Sequence, residues 1–222
     1  MKRFSILCFL LISLTACSQN LPKGFCYLSD IDASIQKELR YFTSTNFIGK
    51  PIDGYQKDTL IISTKAAIAL KSVQEKLKEF GLGLKIYDAY RPQQAVDHFV
   101  RWAKVLNDTI QKSTYYPDVA KKDLFQLDYI ASKSGHTRGS TVDLTIVNLK
   151  TGEALDMGSS WDFFGTPSHP FYPNLTTEQR VHRMLLRNLL MEAGFKPYDK
   201  EWWHFTLKDE PFPDTYFNFP IR

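Results

Sequence analysis

Two short segments constrain this chain of 222 residues more than any other feature. The first, residues 134–143, holds one histidine and ends at Asp143; the second begins at Glu201 and ends at His204. The two segments thus hold two of the five histidines, each with a carboxylate in the same segment. A catalytic zinc site needs three nitrogen or oxygen ligands, an open position and a further group that handles protons. The chain can supply this set only if its fold brings the two segments together.

The first segment predicts a loop followed by a strand. Gly135 and Gly139 flank His136 and permit backbone conformations that larger residues resist. Residues 141–147 are rich in β-branched side chains, which is typical of a β-strand. A histidine on the loop and Asp143 near the start of the strand can then converge on one ion.

The second segment is harder to interpret. Residues 202–207 also indicate a strand, and residues three apart on a regular strand face opposite sides. Glu201 and His204 can share a site only if the chain bends or bulges where this strand begins. The sequence does not reveal such a bend. In either segment alone, a histidine beside a carboxylate would be typical of an ordinary hydrogen-bonded pair; the two segments together favour a metal site.

The pattern Ser-x-His-x-x-Gly-x-x-x-Asp followed by Glu-x-x-His resembles the zinc D-alanyl-D-alanine peptidases, most closely the D-alanyl-D-alanine dipeptidases of the VanX type. The likeness extends from about Tyr27 to the C-terminus, with further motifs in the same order: residues 40–42, 46–51, 88–92, 157–163 and 209–211. Several separate motifs in the right order make the resemblance specific.

The resemblance implies one zinc ion per chain, held by His136, Asp143 and His204. It also implies that Glu201 is the catalytic base and that Arg91 stabilises the charged transition state. A guanidinium can donate hydrogen bonds to a developing oxyanion without losing its own charge. Considered alone, an arginine after a strand would more simply be a solvated charge or an ion-pair partner.

Three further residues are implied to contact the substrate. Asp162 would face the substrate ammonium, Ser134 would lie near the same amino end, and Tyr41 would line the pocket. Without the resemblance, Asp162 could equally cap a turn.

The activity implied is hydrolysis of the dipeptide D-alanyl-D-alanine by metal-activated water, in cell-wall peptide turnover. Two alternatives stay open: a D,D-carboxypeptidase that trims D-alanine from longer wall peptides, and a zinc-containing wall-binding lipoprotein without catalysis. By resemblance, residues 93–128 and the loop around Asp162 favour a closed pocket for a dipeptide. The presence of Glu201 and Arg91 argues against a non-catalytic protein. The sequence does not indicate an oligomeric state.

The N-terminus predicts export. Lys2 and Arg3 precede an apolar run over residues 4–14, which is too short to span a bilayer but typical of a signal peptide. Residues 14–17 resemble a bacterial lipobox, which implies cleavage before Cys17 and lipid attachment to its sulfur; a simple secretory leader is the alternative. We therefore expect a signal peptide over 1–16, a lipidated tether over 17–26 and a catalytic domain over 27–222, anchored to a membrane of the bacterial envelope.

Composition agrees with one catalytic domain that binds no nucleic acid. With 43% hydrophobic and 14% aromatic residues, the chain can bury a substantial core. The net charge of +4 falls to +2 when Lys2 and Arg3 leave with the leader, and no Lys/Arg-rich run is present. This charge balance gives no signature of nucleic-acid binding; the small-molecule partner, a dipeptide, is what the resemblance implies.

The remaining patterns predict an α+β fold, a single domain with a mainly antiparallel sheet that carries the zinc site and is flanked by helices. Local signals predict one strand and four helices: a strand over 84–88, and helices from the cap Ser63 to near Phe80, from Pro92 past Val100, over 118–131, and from a capping box at Thr176 and Gln179 to Gly194. On the first helix, the apolar stripe that ends with Phe80 is expected to be core.

Overall fold

A five-stranded sheet forms the centre of the molecule in this computed structural model, which describes residues 21–222. Its strand order is β2-β4-β5-β7-β6, and only the pair β2–β4 is parallel. The mainly antiparallel α+β architecture expected from the sequence is confirmed. The strands are β2 (Gln36–Lys37), β4 (Leu82–Asp88), β5 (Thr141–Asn148), β6 (Phe195–Tyr198) and β7 (Glu201–Leu207).

A second, two-stranded sheet pairs β1 (Phe25–Tyr27) with β3 (Ile61–Ser63). The Phe25 ring is buried and stacks on the Phe212 ring, with ring centroids 5.5 Å apart. Phe25 and Cys26 therefore belong to the folded part of the chain, whereas the sequence predicts that they lie in the tether over 17–26. Apolar burial explains the difference, since the aromatic C-terminal tail covers this strand.

Helix α2 (Thr64–Lys78) begins as predicted, with the Ser63 hydroxyl accepting a hydrogen bond from the Ala66 amide at 3.4 Å. The expectation that Phe80 belongs to its buried stripe is wrong, because Phe80 is 75% exposed. The helix has already ended at Lys78, and Gly81 turns the chain with a φ of +70°. The other α-helices are α1 (Leu28–Ile31), α3 (Gln93–Lys104), α4 (Lys112–Tyr115) and α5 (Thr177–Glu192).

The capping box predicted for helix α5 is present. The Thr176 hydroxyl accepts from the Gln179 amide at 3.2 Å, and the Gln179 side chain accepts from the Thr176 amide at 3.0 Å. The helix buries Leu186 and Leu190 together with a charged residue, Arg183.

The helix predicted over residues 118–131 is wrong. Apart from the short 3₁₀ turn Lys121–Asp123, this stretch is irregular. The Lys121 ammonium turns inward and donates to the carbonyls of Val105 and Asp108 at 2.8 and 2.6 Å. Phe125 is 40% exposed whereas Lys121 is buried. An amphipathic helix would bury the apolar residue and expose the charged one.

The core packs helices against the central strands. Leu84, Val142, Leu144 and Ile146 have no exposed surface, and burial of each such side chain contributes roughly 1.5–3 kcal/mol. On β5 these apolar residues alternate with residues of the opposite face, among them Asp143.

The predicted leader and anchor, with Lys2, Arg3 and Cys17, lie outside the described residues. Within residues 21–222, the helices are too short or too polar for any of them to cross a bilayer.

Candidate active site

Three polar residues form a row across the sheet. Strand pairing places Asp88 of β4 opposite Asp143 of β5, and Asp143 opposite His204 of β7. Side chains of directly opposite residues in antiparallel strands have Cβ atoms about 4.5–5.5 Å apart. The register of three strands therefore brings Asp143 and His204 together.

The fourth member, His136, comes from a 3₁₀ turn, Gly135–Arg138, that precedes β5. The Ser134 hydroxyl caps this turn by accepting from the His136 amide at 3.3 Å. Gly139 ends it with a φ of +85°, and a Cβ there would lie 2.2 Å from the Phe25 ring. Only glycine fits this position, which sets the course of the chain from His136 into the strand.

The ring of His136 has a fixed orientation. Its Nδ1 lies 2.8 Å from the carbonyl oxygen of Ala89, which can only accept, so Nδ1 carries the proton and Nε2 faces the sheet. Nε2 lies 3.2 Å from Asp143 Oδ1, and His204 Nδ1 lies 3.1 Å from the same oxygen. These side chains offer three ligand atoms within 4.8 Å of one another.

This donor set fits one zinc ion. His136 Nε2 and Asp143 Oδ1 are buried and have no hydrogen-bond partner among the described residues, although they are neighbours. Ligands about 2.0–2.2 Å from a tetrahedral ion are separated by roughly 3.3–3.6 Å, close to the spacing found here. Two imidazole nitrogens and a carboxylate oxygen are also ligands that zinc accepts, and a three-residue set leaves a position open.

Glu201 reaches the site because the chain bends at the start of β7, a bend that the sequence did not reveal. Strands β6 and β7 pair regularly as far as Pro197 and Phe205, and then the register shifts so that Tyr198 lies opposite Glu201. This bend at the start of β7 brings Glu201 Oε2 to 3.4 Å from His204 Nδ1. Burial raises the pKa of the Glu201 carboxyl to about 7.

Arg91 is held by Asp88, a residue for which the sequence analysis gave no role. Its Nε and Nη2 both lie 2.8 Å from Asp88 Oδ2, and Tyr55 donates to Asp88 Oδ1 at 2.7 Å. Burial opposes the charge of the guanidinium, but Tyr41 and Asp88 outweigh it and hold the pKa of Arg91 above its usual value. The sequence signal for Asp88 was its place three residues before Arg91 in the same motif.

Asp162 and Tyr41 form a buried pair. The Tyr41 hydroxyl donates to Asp162 Oδ2 at 2.6 Å, and the Arg91 guanidinium lies over the Tyr41 ring at 5.1 Å. Burial raises the pKa of Asp162 well above its usual value, and the Tyr41 hydrogen bond opposes this. Asp162 has a φ of +61°, a conformation that aspartate tolerates better than most residues do. Its neighbour Trp161, for which the sequence predicted no role, donates from its indole nitrogen to Asp143 Oδ2 at 3.3 Å.

All the predicted metal, catalytic and substrate-contact residues line one cavity of about 200 Å³. Its walls include the aromatic rings of Phe47, Phe99 and Phe164. The volume lies below the ~300–1,000 Å³ of typical pockets for drug-sized ligands. The cavity therefore suits a small, polar substrate. The predicted residues that it brings together are Tyr41, Arg91, Ser134, His136, Asp143, Asp162, Glu201 and His204.

Residues 22–222 match the model of the M15 peptidase family, described as D-Ala-D-Ala dipeptidase. The chain belongs to this family. D-alanyl-D-alanine dipeptidases of Enterococcus faecalis and Streptomyces coelicolor are 41% and 40% identical to it, covering 90% and 89% of this chain and 100% and 98% of theirs. The Escherichia coli dipeptidase is 32% identical over 81% of this chain and 82% of its own.

Among solved structures, a zinc-bound D,D-pentapeptidase, VanY of a VanB-type resistance cassette, matches with a TM-score of 0.40 and 12% identity. The match covers 69% of this chain and 76% of that chain, and it is too distant to bear on the fold or the site.

Proposed function

We propose that this chain hydrolyses D-alanyl-D-alanine to two D-alanines with one zinc ion. The observation that carries the proposal is a buried carboxylate, Asp162, in the same small cavity as the ligand set. A free dipeptide brings an ammonium close to its scissile bond, whereas a longer peptide has a neutral amide there. Membership of the dipeptidase family supports the same substrate.

His136, Asp143 and His204 would hold the zinc ion. The bound ion supplies a Lewis acid that polarises the scissile carbonyl and lowers the pKa of water. The hydrogen bond from His136 Nδ1 to the Ala89 carbonyl keeps Nε2 directed at the site, as second-shell partners of metal-binding histidines commonly do.

Glu201 acts as the general base and then as the general acid. Its carboxylate takes a proton from the attacking water and gives it to the nitrogen of the leaving D-alanine. The bend at the start of β7 places this carboxylate beside His204 and in the cavity, so that it serves without being a ligand.

Arg91 donates hydrogen bonds to the oxygen that becomes negative as the carbonyl is attacked. Asp88 fixes the guanidinium before the substrate arrives, which removes the need to order it during the reaction.

Asp162 pairs with the substrate ammonium. The Tyr41 hydroxyl donates to one of its oxygens and leaves the other free, and Ser134, which lines the same cavity, would lie near the amino end of the substrate. An N-acylated substrate has no ammonium, so the buried Asp162 carboxyl would gain no charged partner, which favours the free dipeptide over long peptides.

The experiment that tests this function assays zinc-loaded protein on D-alanyl-D-alanine and on a wall pentapeptide that ends in the same two residues. We expect D-alanine release from the dipeptide and far less from the pentapeptide. Faster release from the pentapeptide would indicate a D,D-carboxypeptidase. Zinc binding without release from either substrate would indicate a non-catalytic protein.

We also propose that the protein acts in the cell envelope, in wall turnover or in scavenging of D-alanine. Three features of the sequence support a lipidated Cys17: the basic residues Lys2 and Arg3, the apolar run over 4–14 and the lipobox-like residues 14–17. Several acyl chains on one residue anchor a protein stably, whereas one chain does so only marginally. Mass spectrometry of the membrane fraction tests this: an unmodified Cys17 would contradict the anchor, and Cys17→Ser is expected to leave a soluble or unprocessed product.

A further inference from the structure

A buried arginine lies behind the active site, and within residues 21–222 no carboxylate forms a salt bridge with it, although the charge of Asp156 acts on it from farther away. Arg183 of α5 is only 1% exposed, and every hydrogen-bond acceptor that the described residues offer it is a carbonyl or hydroxyl oxygen. Burial lowers the pKa of Arg183 to about 10, so it stays charged at neutral pH. A buried charge is costly unless hydrogen bonds replace the lost water, and here the oxygens that accept from Arg183 all belong to one segment of the chain.

The acceptors of Arg183 lie at the two ends of one loop, residues 157–169. Nε donates to the Met157 carbonyl at 2.5 Å, whereas Nη1 and Nη2 donate to the carbonyls of His169 and Pro167 at 2.6 and 2.8 Å. The planar guanidinium has donors in several directions, which suits it to hold several carbonyls at once. We call these four residues the Arg183 clamp.

Asp162 lies in the middle of the loop that the clamp closes. Apart from the 3₁₀ turn Thr166–Ser168, this loop has no regular structure of its own, and Asp162 adopts a positive φ within it. Within the loop, the Ser168 hydroxyl donates to the carbonyl of Phe163, the residue after Asp162, at 2.6 Å. This hydrogen bond connects the clamped end of the loop to the backbone beside Asp162. The conformation of Asp162 therefore depends on contacts made at the ends of the loop.

The same guanidinium also adjoins the strand that carries Glu201. It lies 5.9 Å from the Trp202 ring, and Trp202 Nε1 donates to the Ser159 hydroxyl at 2.9 Å. Ser159 lies 3.5 Å from Arg183 Nη2. One side chain thus links the loop of Asp162 to the residue that follows Glu201.

We propose that Arg183 is a positioning residue for substrate selection: it holds the loop over residues 157–169 so that Asp162 can pair with the substrate ammonium. This inference rests on the proposed dipeptidase function. Arg183 does not touch the substrate, since it is absent from the cavity lining and acts through the backbone of the loop.

The test is a double-mutant comparison on the zinc-loaded protein. Arg183→Lys keeps the charge but cannot reach three carbonyls, so kcat/KM for D-alanyl-D-alanine is expected to fall by about tenfold to about a hundredfold, through KM more than kcat. In an Asp162→Asn background, the same change is expected to alter kcat/KM by less than about threefold, because the contact that Arg183 supports is already lost. Equal losses in both backgrounds would contradict the proposal.

Arg180→Met is the matched control. Arg180 is an exposed residue of the same helix that donates to the carbonyls of Pro173 and Leu175, outside the loop, so its removal is expected to leave kcat/KM unchanged. Zinc content is expected to equal that of the wild type in Arg183→Lys, and a loss of zinc would place the effect at the metal instead.

Hydrogen exchange supplies a readout that does not depend on activity. In Arg183→Lys, amides of residues 157–169 are expected to exchange faster while those of β4 and β5 do not change. Unchanged exchange in the loop would contradict the clamp. If the wild type does not hydrolyse the dipeptide, the proposed function is contradicted. The Arg183 clamp is then tested separately, by hydrogen exchange of residues 157–169 in Arg183→Lys. If Arg183→Lys and a second variant, Arg183→Met, both fail to fold, Arg183 is a requirement of the fold, which also contradicts a role in selection.

Discussion

The two halves of the cavity are built in different ways. On the metal side, Asp143 and His204 stand opposite each other on paired strands, and the register of the sheet fixes their separation. On the substrate side, Asp162 stands on an irregular loop whose shape depends on Tyr41 and Arg183, both far away in the sequence. Trp161 of this loop also donates to Asp143 Oδ2, so we expect changes in the loop to affect metal binding less than substrate selection, for which the loop supplies Asp162 itself.

Loss of a ligand is expected to have the largest effect, and it tests the metal side. His136→Ala or His204→Ala should lower zinc occupancy and abolish activity, because two remaining protein ligands hold the ion poorly. Elemental analysis after dialysis measures the occupancy. His169→Ala is the control and should keep its zinc. Full occupancy in either of the first two variants would remove that residue from the ligand set.

Glu201→Ala is expected to separate chemistry from metal binding. Zinc should stay bound, while kcat falls on the order of 10²–10⁴-fold, the usual contribution of a general acid–base group. Steady-state kinetics with parallel zinc analysis measures both. Glu153→Ala, at an exposed carboxylate, is the control. Near-normal turnover with metal bound would show that Glu201 is not the base.

Asp162→Asn addresses the substrate side alone. Asparagine tolerates the positive φ, so the loop should keep its course. Truncating one partner of a buried charge pair costs roughly 2–5 kcal/mol, so kcat/KM for the free dipeptide should fall about 30-fold or more with zinc unchanged. The N-acetyl dipeptide, which has no ammonium, should lose much less. Equal losses on both substrates would mean that Asp162 supports the loop without recognising the amino terminus.

A change outside both halves gives the smallest effect. Thr176→Ala removes the capping box of α5 and should lower the free energy of unfolding by about 1 kcal/mol. Zinc occupancy and the ratio of activities on the two substrates should not change. Urea denaturation at fixed zinc concentration measures the loss, with Thr177→Ala as a helical control. A shift in the substrate ratio would show that α5 affects the loop more widely than through Arg183.

The contrast between the halves also explains what the sequence could predict. Local signals found the strand of Asp143 and the caps Ser63 and Thr176, because β-branched runs and capping residues act within a few positions. They failed at residues 118–131, where the inward turn of Lys121 depends on carbonyls elsewhere in the chain.

Contacts between distant residues explain why the sequence did not predict the bend at Glu201 or a role for Asp88. The bend that places Glu201 in the cavity arises from the pairing of β7 with β6. Asp88 stands beside Asp143 and His204 only once β4, β5 and β7 are in register. Arg183 gave no signal, because a charged residue in an amphipathic helix usually faces solvent.

Titration of metal-free protein with zinc, with D-alanine release from D-alanyl-D-alanine as the signal, tests the central claim most directly. We expect activity to rise in proportion to added zinc, reach its maximum at one ion per chain and disappear again on chelation. No release of D-alanine at full occupancy, or a maximum reached only at a second equivalent of zinc, would contradict a single-zinc dipeptidase built on His136, Asp143 and His204.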